Sequence, residues 1–333
     1  MTKRKLSRQQ RWRVEKIHKE RSERAGKRDQ TFSEQLDAGE LGAEQMGTVI
    51  AHYGQQVEIE GEDGKRQRCY LRANLEALVT GDIVVWRDSS GDSGVVVAQE
   101  ERRSILKRPD KFGNLKPVAA NIDTLFIVVS PIPEPHANLI DRYFVAAEAA
   151  NIAPVLLVNK LDLLDEHTQH LIEIYKKLGY PVLLSSVKSE QHLTELKATL
   201  KGKTSAFVGQ SGVGKSSLVN VLLPGTDTRV GELSEAKGKG KHTTTTAKLF
   251  HFPGGGNLID SPGIREFGLW NLSRQQLEQG FIEFRPFLGA CKFRDCLHEH
   301  EPGCEILAAI ERGEISPERI NSYRIMVSQL ETA

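Results

Sequence analysis

Long apolar segments are missing from the 333-residue sequence, since no run approaches the ~18–20 residues that a helix needs to cross a bilayer. The first residues are also too basic and too polar to contain the apolar part of a secretory signal. We therefore expect a cytoplasmic protein without a membrane partner. Cysteine is scarce as well, and three of the four cysteines (Cys291, Cys296 and Cys304) crowd together while Cys69 stands alone. In a reducing compartment this spacing indicates metal binding and not disulfides.

Charge is distributed unevenly along the chain. The first thirty residues contain twelve Lys or Arg and four Asp or Glu, whereas the remainder contains 33 basic and 40 acidic residues. Residues 1–42 have few apolar side chains to bury, so they are predicted to form a basic arm that is mobile when alone. Neutralisation of nucleic-acid phosphates is the expected role, with a merely solubilising tail as the alternative.

Residues 43–101 show five short alternating segments: "GTVIAHY", "QQVEIE", "RQRCYLR", "DIVVWRD" and "GVVVAQE". Turn residues rich in Gly and Asp separate them, which predicts a five-stranded OB-type β-barrel, with an SH3-like barrel as the alternative. Aromatic residues are few, because only Tyr70 and Trp86 lie on these strands. A purely structural barrel therefore remains an open interpretation.

Residues 102–270 begin with the link "ERRSILKRPDKFGNLKP" and then alternate between apolar strands and amphipathic helices. The strands are "NIDTLFIVVS", "APVLLVNK", "PVLLSS" and "TSAFVG". Helices are predicted near Leu139 to Ala150, Glu166 to Leu178, and His192 to Leu200. This rhythm indicates a parallel sheet covered on both faces, in a multidomain α/β protein.

Residues 209–216, "GQSGVGKS", lie between the strand "TSAFV" and a helix predicted to start near Lys215. Glycine allows the loop amides to converge on an anion, and the helix N-terminus adds partial positive charge. Lys215 is expected to reach the β and γ phosphates, and Ser216 to bind Mg²⁺. The predicted nucleotide-binding residues of this phosphate loop are Gly209, Gln210, Ser211, Gly212, Val213, Gly214, Lys215, Ser216 and Ser217.

Residues 159–162, "NKLD", end an apolar strand and indicate which base is bound. Asp162 can accept both hydrogen bonds from the ring N–H and the exocyclic amine of guanine, while Lys160 packs along the base and Asn159 braces the loops. Adenine offers no such pair of donors and leaves a desolvated carboxylate unpaired, which excludes ATP. Ser185 and Ser186, one strand later, are expected to support the base.

The segment "NLIDSPG" ends a further strand at Asp260, which is expected to hold Mg²⁺. The Gly263 amide is expected to sense the γ phosphate and is counted with Lys215 among the catalytic groups. Upstream lies "GKGKHTTTT", in which one of Thr243 to Thr246, taken here as Thr245, closes on Mg²⁺ when the triphosphate is bound. Without nucleotide the same segment is expected to be a disordered surface loop.

The base-reading motif precedes the phosphate loop, which is the reverse of the order usual in guanine-nucleotide enzymes. Joining the old termini and cutting the chain after the Asp260 turn changes the strand order but not the spatial neighbours, so the site survives a circular permutation. With these motifs the chain resembles the circularly permuted ribosome small subunit-dependent GTPase A (RsgA) family over essentially its whole length. The resemblance implies GTP hydrolysis coupled to late maturation of the small ribosomal subunit. It also implies an OB barrel before the GTPase domain and a zinc domain after it. The expected partners are the small subunit with its rRNA and GTP or GDP, and we expect the protein to be a monomer.

Residues 271–333 contain "CKFRDCLHEHEPGC". Cys291, Cys296, His298 and Cys304 provide three thiolates and one imidazole, a set suited to a closed tetrahedral Zn²⁺ site that is structural because no position is left for water. His300 is the rival ligand, although the pattern of the family favours His298. Two C-terminal helices are predicted from "EILAAIERGE" and "SPERINSYRIMVSQL", and Ser316 is expected to cap the second, which starts at Pro317.

Glutamine is absent from the position after the Asp-x-x-Gly turn, where many GTPases use it to orient water. Ile264 stands there and cannot hydrogen-bond to water, so slow basal hydrolysis is expected. His242 is the nearest candidate for positioning the water, against the alternative that it is simply solvated.

Other classes of function are a P-loop ATPase or small-molecule kinase, which does not need "NKLD", and a non-catalytic RNA-binding scaffold, which does not need Ser216 and Asp260 together. An RNA-binding nucleotide switch without a ribosome-specific role is the remaining alternative.

Overall fold

The computed structural model describes residues 41–72, 75–89, 93–110, 113–224, 247–261, 264 and 272–330. The chain divides into two compact units, one containing Met1–Leu78 and Asp82–Glu101 and the other Val79–Gly81 and Arg102–Ala333. Nearly all of the predicted basic arm, residues 1–42, lies outside the described residues. Across the described ranges, no helix has the length and apolar character needed to span a membrane.

The first unit contains a closed five-stranded barrel. Its strands are β1 (Glu44–His52), β2 (Gln56–Gly61), β3 (Arg66–Leu71), β4 (Ile83–Asp88) and β5 (Gly94–Gln99). They follow the order β1-β2-β3-β5-β4; β1 pairs antiparallel with β4 to close the ring, and β3 pairs parallel with β5. This closure is that of an OB-type Greek-key barrel, so the predicted OB-type fold is confirmed and favoured over the SH3-like alternative.

The barrel core is built from the inward half of each alternating strand. Val49, Val57, Ile59 and Trp86 are buried there together with the lone Cys69. Burial raises the pKa of the Cys69 thiol to about 12, so this cysteine is a neutral core residue.

The second unit contains a six-stranded sheet. Its strands are β8 (Thr124–Val129), β9 (Ala153–Val158), β10 (Val182–Leu184), β11 (Thr204–Val208), β12 (Lys248–His251) and β13 (Asn257–Asp260). The order is β10-β9-β8-β11-β13-β12, parallel throughout except for β12, which pairs antiparallel with β13. The helices that follow its strands are α1 (Ala137–Ala149), α2 (Glu166–Lys177), α3 (Glu190–Leu200) and α4 (Lys215–Leu222). The predicted parallel α/β sheet is confirmed.

The order of strands in space differs from their order in the chain. Strand β8 lies between β9 and β11, so the strand that ends in "NKLD" and the strand that delivers the phosphate loop flank a common neighbour. Because all three are parallel, their carboxyl ends meet at one edge of the sheet. The circular permutation therefore leaves both motifs at the same edge.

The segment predicted to be a link is in part a β-hairpin, so that interpretation was wrong. Strands β6 (Ile105–Pro109) and β7 (Leu115–Ala120) pair antiparallel. Their turn is closed by a hydrogen bond from the Asp110 N–H to the Asn114 carbonyl at 2.8 Å. Lys, Arg and Pro on these strands hide the alternation by which strands are usually recognised.

The C-terminal region is helical, with α5 (Arg274–Gly280), a 3₁₀ helix (Ile282–Phe287), α6 (Glu305–Glu311) and α7 (Pro317–Leu330). Helix α7 begins at Pro317, as predicted, and the Ser316 hydroxyl accepts a hydrogen bond from the Arg319 N–H at 3.4 Å. Helix α5 was missed in the sequence, although Ser273 and Gln276 form a capping box at its start.

A buried ionic network joins the C-terminal region to the helices of the sheet. Arg319 on α7 is 1% exposed; it donates to Asp141 on α1 at 2.5 Å and to both carboxylate oxygens of Glu283 at 2.6 and 3.0 Å. Tyr175 on α2 donates to the same Asp141 oxygen at 2.5 Å. Arg319 also lies over the ring of Phe281, 4.5 Å from its centroid. Three helices and the 3₁₀ segment therefore share one arginine.

We predict that Asp141→Ala lowers the free energy of unfolding by about 3–5 kcal/mol, because it leaves part of the Arg319 charge buried and unpaired. Chemical denaturation of the full chain measures this. Arg142→Ala is the matched control, since its side chain lies on the same helix and bonds Gln329 in an exposed position, so its expected cost is about 1 kcal/mol or less. Equal losses in the two variants would contradict a structural role for the buried network.

Candidate functional site

The predicted phosphate loop connects β11 to α4 through backbone that only glycine accepts. Gly209 has φ 138° and Gly214 has φ 93°. A Cβ atom would come within 2.1 Å of the Val128 carbonyl oxygen at Gly209 and within 2.4 Å of Asn159 Nδ2 at Gly214. The loop is therefore pressed against the neighbouring strands β8 and β9, and larger residues would force it away from them.

Lys215 begins α4 and folds back over the loop. Its Nζ donates to the carbonyl oxygens of Gly209 at 2.7 Å and Gln210 at 2.5 Å. Within the loop Val213 is buried, whereas Ser211, Gly212 and Ser217 are exposed. The arrangement places an ammonium group and an exposed loop together at the N-terminus of a helix, which suits an anionic group.

The "NKLD" segment is bonded to the phosphate loop 54 positions away. Asn159 is 2% exposed, and its Nδ2 donates to the Val213 carbonyl at 2.9 Å. Lys160 has φ 57°, and its Nζ donates to the carbonyls of Gly212 at 2.7 Å and Ile132 at 2.6 Å. The structure thus brings together the two predicted halves of the site.

Asp162 lies in a 3₁₀ turn, Leu161–Leu163, and its carboxylate faces the segment after β10. Lys188 Nζ donates to Oδ2 at 2.6 Å, and the Ser186 hydroxyl donates to Oδ1 at 3.4 Å. The hydrogen bond from Lys188 is the main cause that lowers the pKa of Asp162. Ser185 and Ser186 are buried, and the Ser185 backbone bonds both Val158 and Leu161.

Two of the predicted magnesium ligands lie at the carboxyl ends of neighbouring strands. Ser216 is the second residue of α4, which follows β11, and Asp260 ends β13. Since β11 and β13 are parallel neighbours, both residues lie at the same edge of the sheet. A hydroxyl and a carboxylate are the hard oxygen donors that Mg²⁺ prefers.

Several predicted residues lie outside the described part of the chain: His242, Thr243 to Thr246 including Thr245, and Gly263. Ile264 is described and is 2% exposed. Its side chain is thus apolar and also withdrawn from solvent.

The four predicted metal ligands form a compact cluster. The sulfur atoms of Cys291, Cys296 and Cys304 and a ring nitrogen of His298 all lie within 4.8 Å of one another. His298 Nδ1 is 3.6 Å from Cys291 Sγ and 3.3 Å from Cys304 Sγ, and the latter two sulfurs are 3.9 Å apart. His300 is exposed and is not part of the cluster. The group could hold one metal ion.

A carboxylate lies on the side of the histidine ring that is opposite the thiols. Glu278 Oε1 lies 3.7 Å from His298 Nε2, the ring nitrogen that faces away from the thiols. The same oxygen accepts from the Tyr323 hydroxyl at 2.8 Å and from Arg274 Nε at 3.2 Å. At 3.7 Å the carboxylate is an electrostatic neighbour of the imidazole and lies beyond hydrogen-bond distance. Glu278 belongs to the missed helix α5, so only recognition of its capping box could have indicated it.

Comparison with known proteins identifies one matching family and several similar chains. A family model described as RsgA GTPase matches residues 99–270. The Pseudomonas aeruginosa protein named small ribosomal subunit biogenesis GTPase RsgA is 60% identical over 337 residues, covering 100% of this chain and 99% of that protein. The Azotobacter vinelandii protein of the same name is 60% identical over 338 residues, covering 99% and 98%.

Two solved structures are also similar. YjeQ from Thermotoga maritima has a TM-score of 0.74 and 34% identity, and the match covers 87% of this chain and 100% of that chain. YloQ, described as a circularly permuted GTPase, has a TM-score of 0.69 and 26% identity, covering 87% and 96%.

We predict that the parent purifies with a metal ion at the cysteine cluster and that Cys296→Ser purified in parallel does not, because serine replaces a thiolate by a much weaker ligand. Metal content per chain is measured by elemental analysis, and the protection of backbone amides in the C-terminal region is measured by hydrogen exchange. His300→Ala is the matched control and should keep the metal. Stoichiometric metal in the Cys296 variant would reject this ligand set.

Proposed function

Because the chain belongs to the RsgA GTPase family, we propose that it hydrolyses GTP to GDP and phosphate in the biogenesis of the small ribosomal subunit. The observation that carries the proposal is the bonding of "NKLD" to the phosphate loop through Asn159 and Lys160. A base-reading carboxylate and a phosphate-binding loop held in one frame are what a guanine nucleotide requires.

Asp162 reads the base in this proposal. Its two carboxylate oxygens accept the two donors of guanine, and the Ser186 hydroxyl steadies one of them. Asn159 and Lys160 brace the turn that presents the carboxylate, and Ser185 supports the base from the next strand. Adenine presents no matching pair of donors, so ATP is excluded.

The phosphates lie on residues 209–217, with Lys215 leaving the loop carbonyls to contact the β and γ phosphates. Ser216, Asp260 and one of Thr243 to Thr246, taken as Thr245, would hold a magnesium ion. Bound Mg²⁺ neutralises charge on the phosphates. The Gly263 amide contacts the γ phosphate.

Water is not positioned by the residue after the Asp-x-x-Gly turn, because Ile264 is apolar and buried. We assign this role to His242, assisted by the ribosomal subunit. Without the subunit, hydrolysis is slow.

Zinc is the metal we propose for the cysteine cluster. Tetrahedral coordination with zinc–sulfur bonds of about 2.3 Å and zinc–nitrogen bonds of about 2.0–2.1 Å requires ligand separations of about 3.5–3.8 Å. The separations of 3.3 to 3.9 Å between His298, Cys291 and Cys304 lie within about 0.3 Å of these values. With Cys296 as the fourth ligand, the zinc is structural.

The RNA-facing parts are the basic arm and the barrel. Arg66, Arg68 and Tyr70 alternate with the buried Cys69 on β3 and so point away from the barrel core, where cations and an aromatic ring suit a polyanion. We propose a cytoplasmic monomer with four parts: arm (1–42), barrel (43–101), GTPase domain (102–270) and zinc-binding domain (271–333).

We predict that Asp162→Asn weakens GDP binding and favours xanthosine diphosphate, because an amide donor can face a carbonyl where guanine has an amine. Titration calorimetry with GDP, xanthosine diphosphate and ADP on both proteins measures the change. The parent should bind GDP and not ADP. Unchanged preference for guanine in the variant would remove "NKLD" from the site.

We also predict that small ribosomal subunits raise the single-turnover rate of GTP hydrolysis, and that His242→Ala loses most of the stimulated rate while it keeps GTP affinity and subunit binding. Naked structured RNA is the control for subunit specificity. Equal stimulation by that RNA would favour a general RNA-binding nucleotide switch, and full stimulation of the variant would remove His242 from catalysis.

A further inference from the structure

The base-reading carboxylate already has a cationic partner within the protein. Lys188 Nζ lies 2.6 Å from Asp162 Oδ2, and the pair is 26 positions apart in the chain. The Lys188 N–H bonds the Ser186 hydroxyl at 3.3 Å, and the Ser189 N–H bonds the Ser186 carbonyl at 3.0 Å. Ser189 then caps α3. Lys188 is therefore carried on a tight turn anchored between β10 and α3, directly facing the carboxylate.

This contact uses part of the surface that guanine needs. A guanine base places one N–H donor on each carboxylate oxygen, whereas Lys188 places its ammonium on Oδ2 and leaves Oδ1 with the weaker bond from Ser186. Inosine lacks the exocyclic amine and offers a single donor. It can therefore bind one oxygen while the ammonium keeps the other.

The ion pair is exposed enough to exchange. The side chains of Lys188 and Asp162 are 75% and 37% exposed, so separating them leaves both charges in water and costs little. By contrast, the Arg319 and Asp141 side chains are 1% and 0% exposed, which fixes that pair. The pair at the base-reading turn has the properties of a displaceable contact.

We infer that Lys188 is a specificity-determining residue that competes with the guanine exocyclic amine for Asp162. The inference rests on the proposed function, because it assumes that Asp162 reads the base. In the free protein Lys188 orients the carboxylate, and guanine binding replaces this internal donor by its own. The lysine thus reduces the advantage of guanine over a base with one donor.

The test compares GDP with IDP on the full chain by titration calorimetry. Lys188→Met removes the donor but keeps an unbranched side chain, and should raise the ratio of the IDP to the GDP dissociation constant about two- to fivefold, the range for an exposed ion pair. A general loss of positive charge near the phosphates shifts both constants equally and leaves this ratio unchanged. Lys188→Arg keeps a donor and should retain the parental ratio.

Lys197→Met is the matched control, since Lys197 is an exposed lysine on α3, the helix that follows the same turn. Its ratio should equal that of the parent. Higher ionic strength should raise the parental ratio toward that of Lys188→Met, because an exposed pair is screened, and should leave the Lys188→Met ratio constant.

An unchanged or lowered ratio in Lys188→Met would overturn the inference while leaving the proposed function intact, provided that the parent prefers GDP. A parent that binds neither GDP nor IDP would refute the proposed function itself. The two failures are therefore distinguishable in one set of titrations.

Discussion

The hydrogen bond from Asn159 to the Val213 carbonyl is the contact on which the proposed nucleotide site depends. It joins the turn after β9 to the loop after β11 across β8, and it passes so close to Gly214 that a side chain there would collide with it. The residues proposed to read the base and those proposed to bind the phosphates are consequently held at a fixed separation. The arrangement depends on which strands are neighbours in the sheet and not on their order in the chain, so a permuted order of motifs yields the same site.

A second consequence concerns the loop that follows β8. Its Ile132 carbonyl accepts from Lys160, and four residues after Pro133 the chain starts α1 at Ala137. That helix carries Asp141, the partner of Arg319 on α7. The loop that carries Ile132 and the C-terminal region are thus both connected to the first half of α1, because Asp141 is the fifth of its thirteen residues. A shift of the loop would reach the C-terminal region through packed and bonded groups.

The sequence predicted those features whose chemistry restricts residue type locally. Gly209 and Gly214 are required by the loop backbone, and Ser316 with Pro317 marked the start of α7 correctly. The hairpin of β6 and β7 was missed because its polar strands do not alternate. Spacing alone could not choose between His298 and His300, since the left-handed backbone that turns His298 inward, φ 60°, has no sequence signature at that position.

Contacts between distant segments were beyond the reach of sequence patterns for a different reason. Lys188 and Glu278 lie in ordinary polar surroundings in the sequence, and each acquires its role only when the fold places it against Asp162 or His298. The periodicity of apolar residues along the sequence does not indicate such pairs, because Lys and Glu side chains are common on any solvent-exposed face. They could be recognised only after the sheet order and helix α5 were known.

Charged side chains occupy two kinds of environment in this molecule, one buried and one open to solvent. Arg319 is buried and bonded to carboxylates on two other elements, α1 and the 3₁₀ helix, so removing either partner costs desolvation energy that nothing nearby can replace. Lys188 and Lys215 are bonded to a carboxylate and to loop carbonyls at the open edge of the sheet, where water or ligand can take over each contact. A ligand that binds there would replace the present contacts of these lysines by contacts of similar strength, so their charges would not be left without partners. The buried pair of Arg319 and Asp141 holds the helices together, and the exchangeable contacts of Lys188 and Lys215 orient the side chains of the proposed site while it is free of nucleotide.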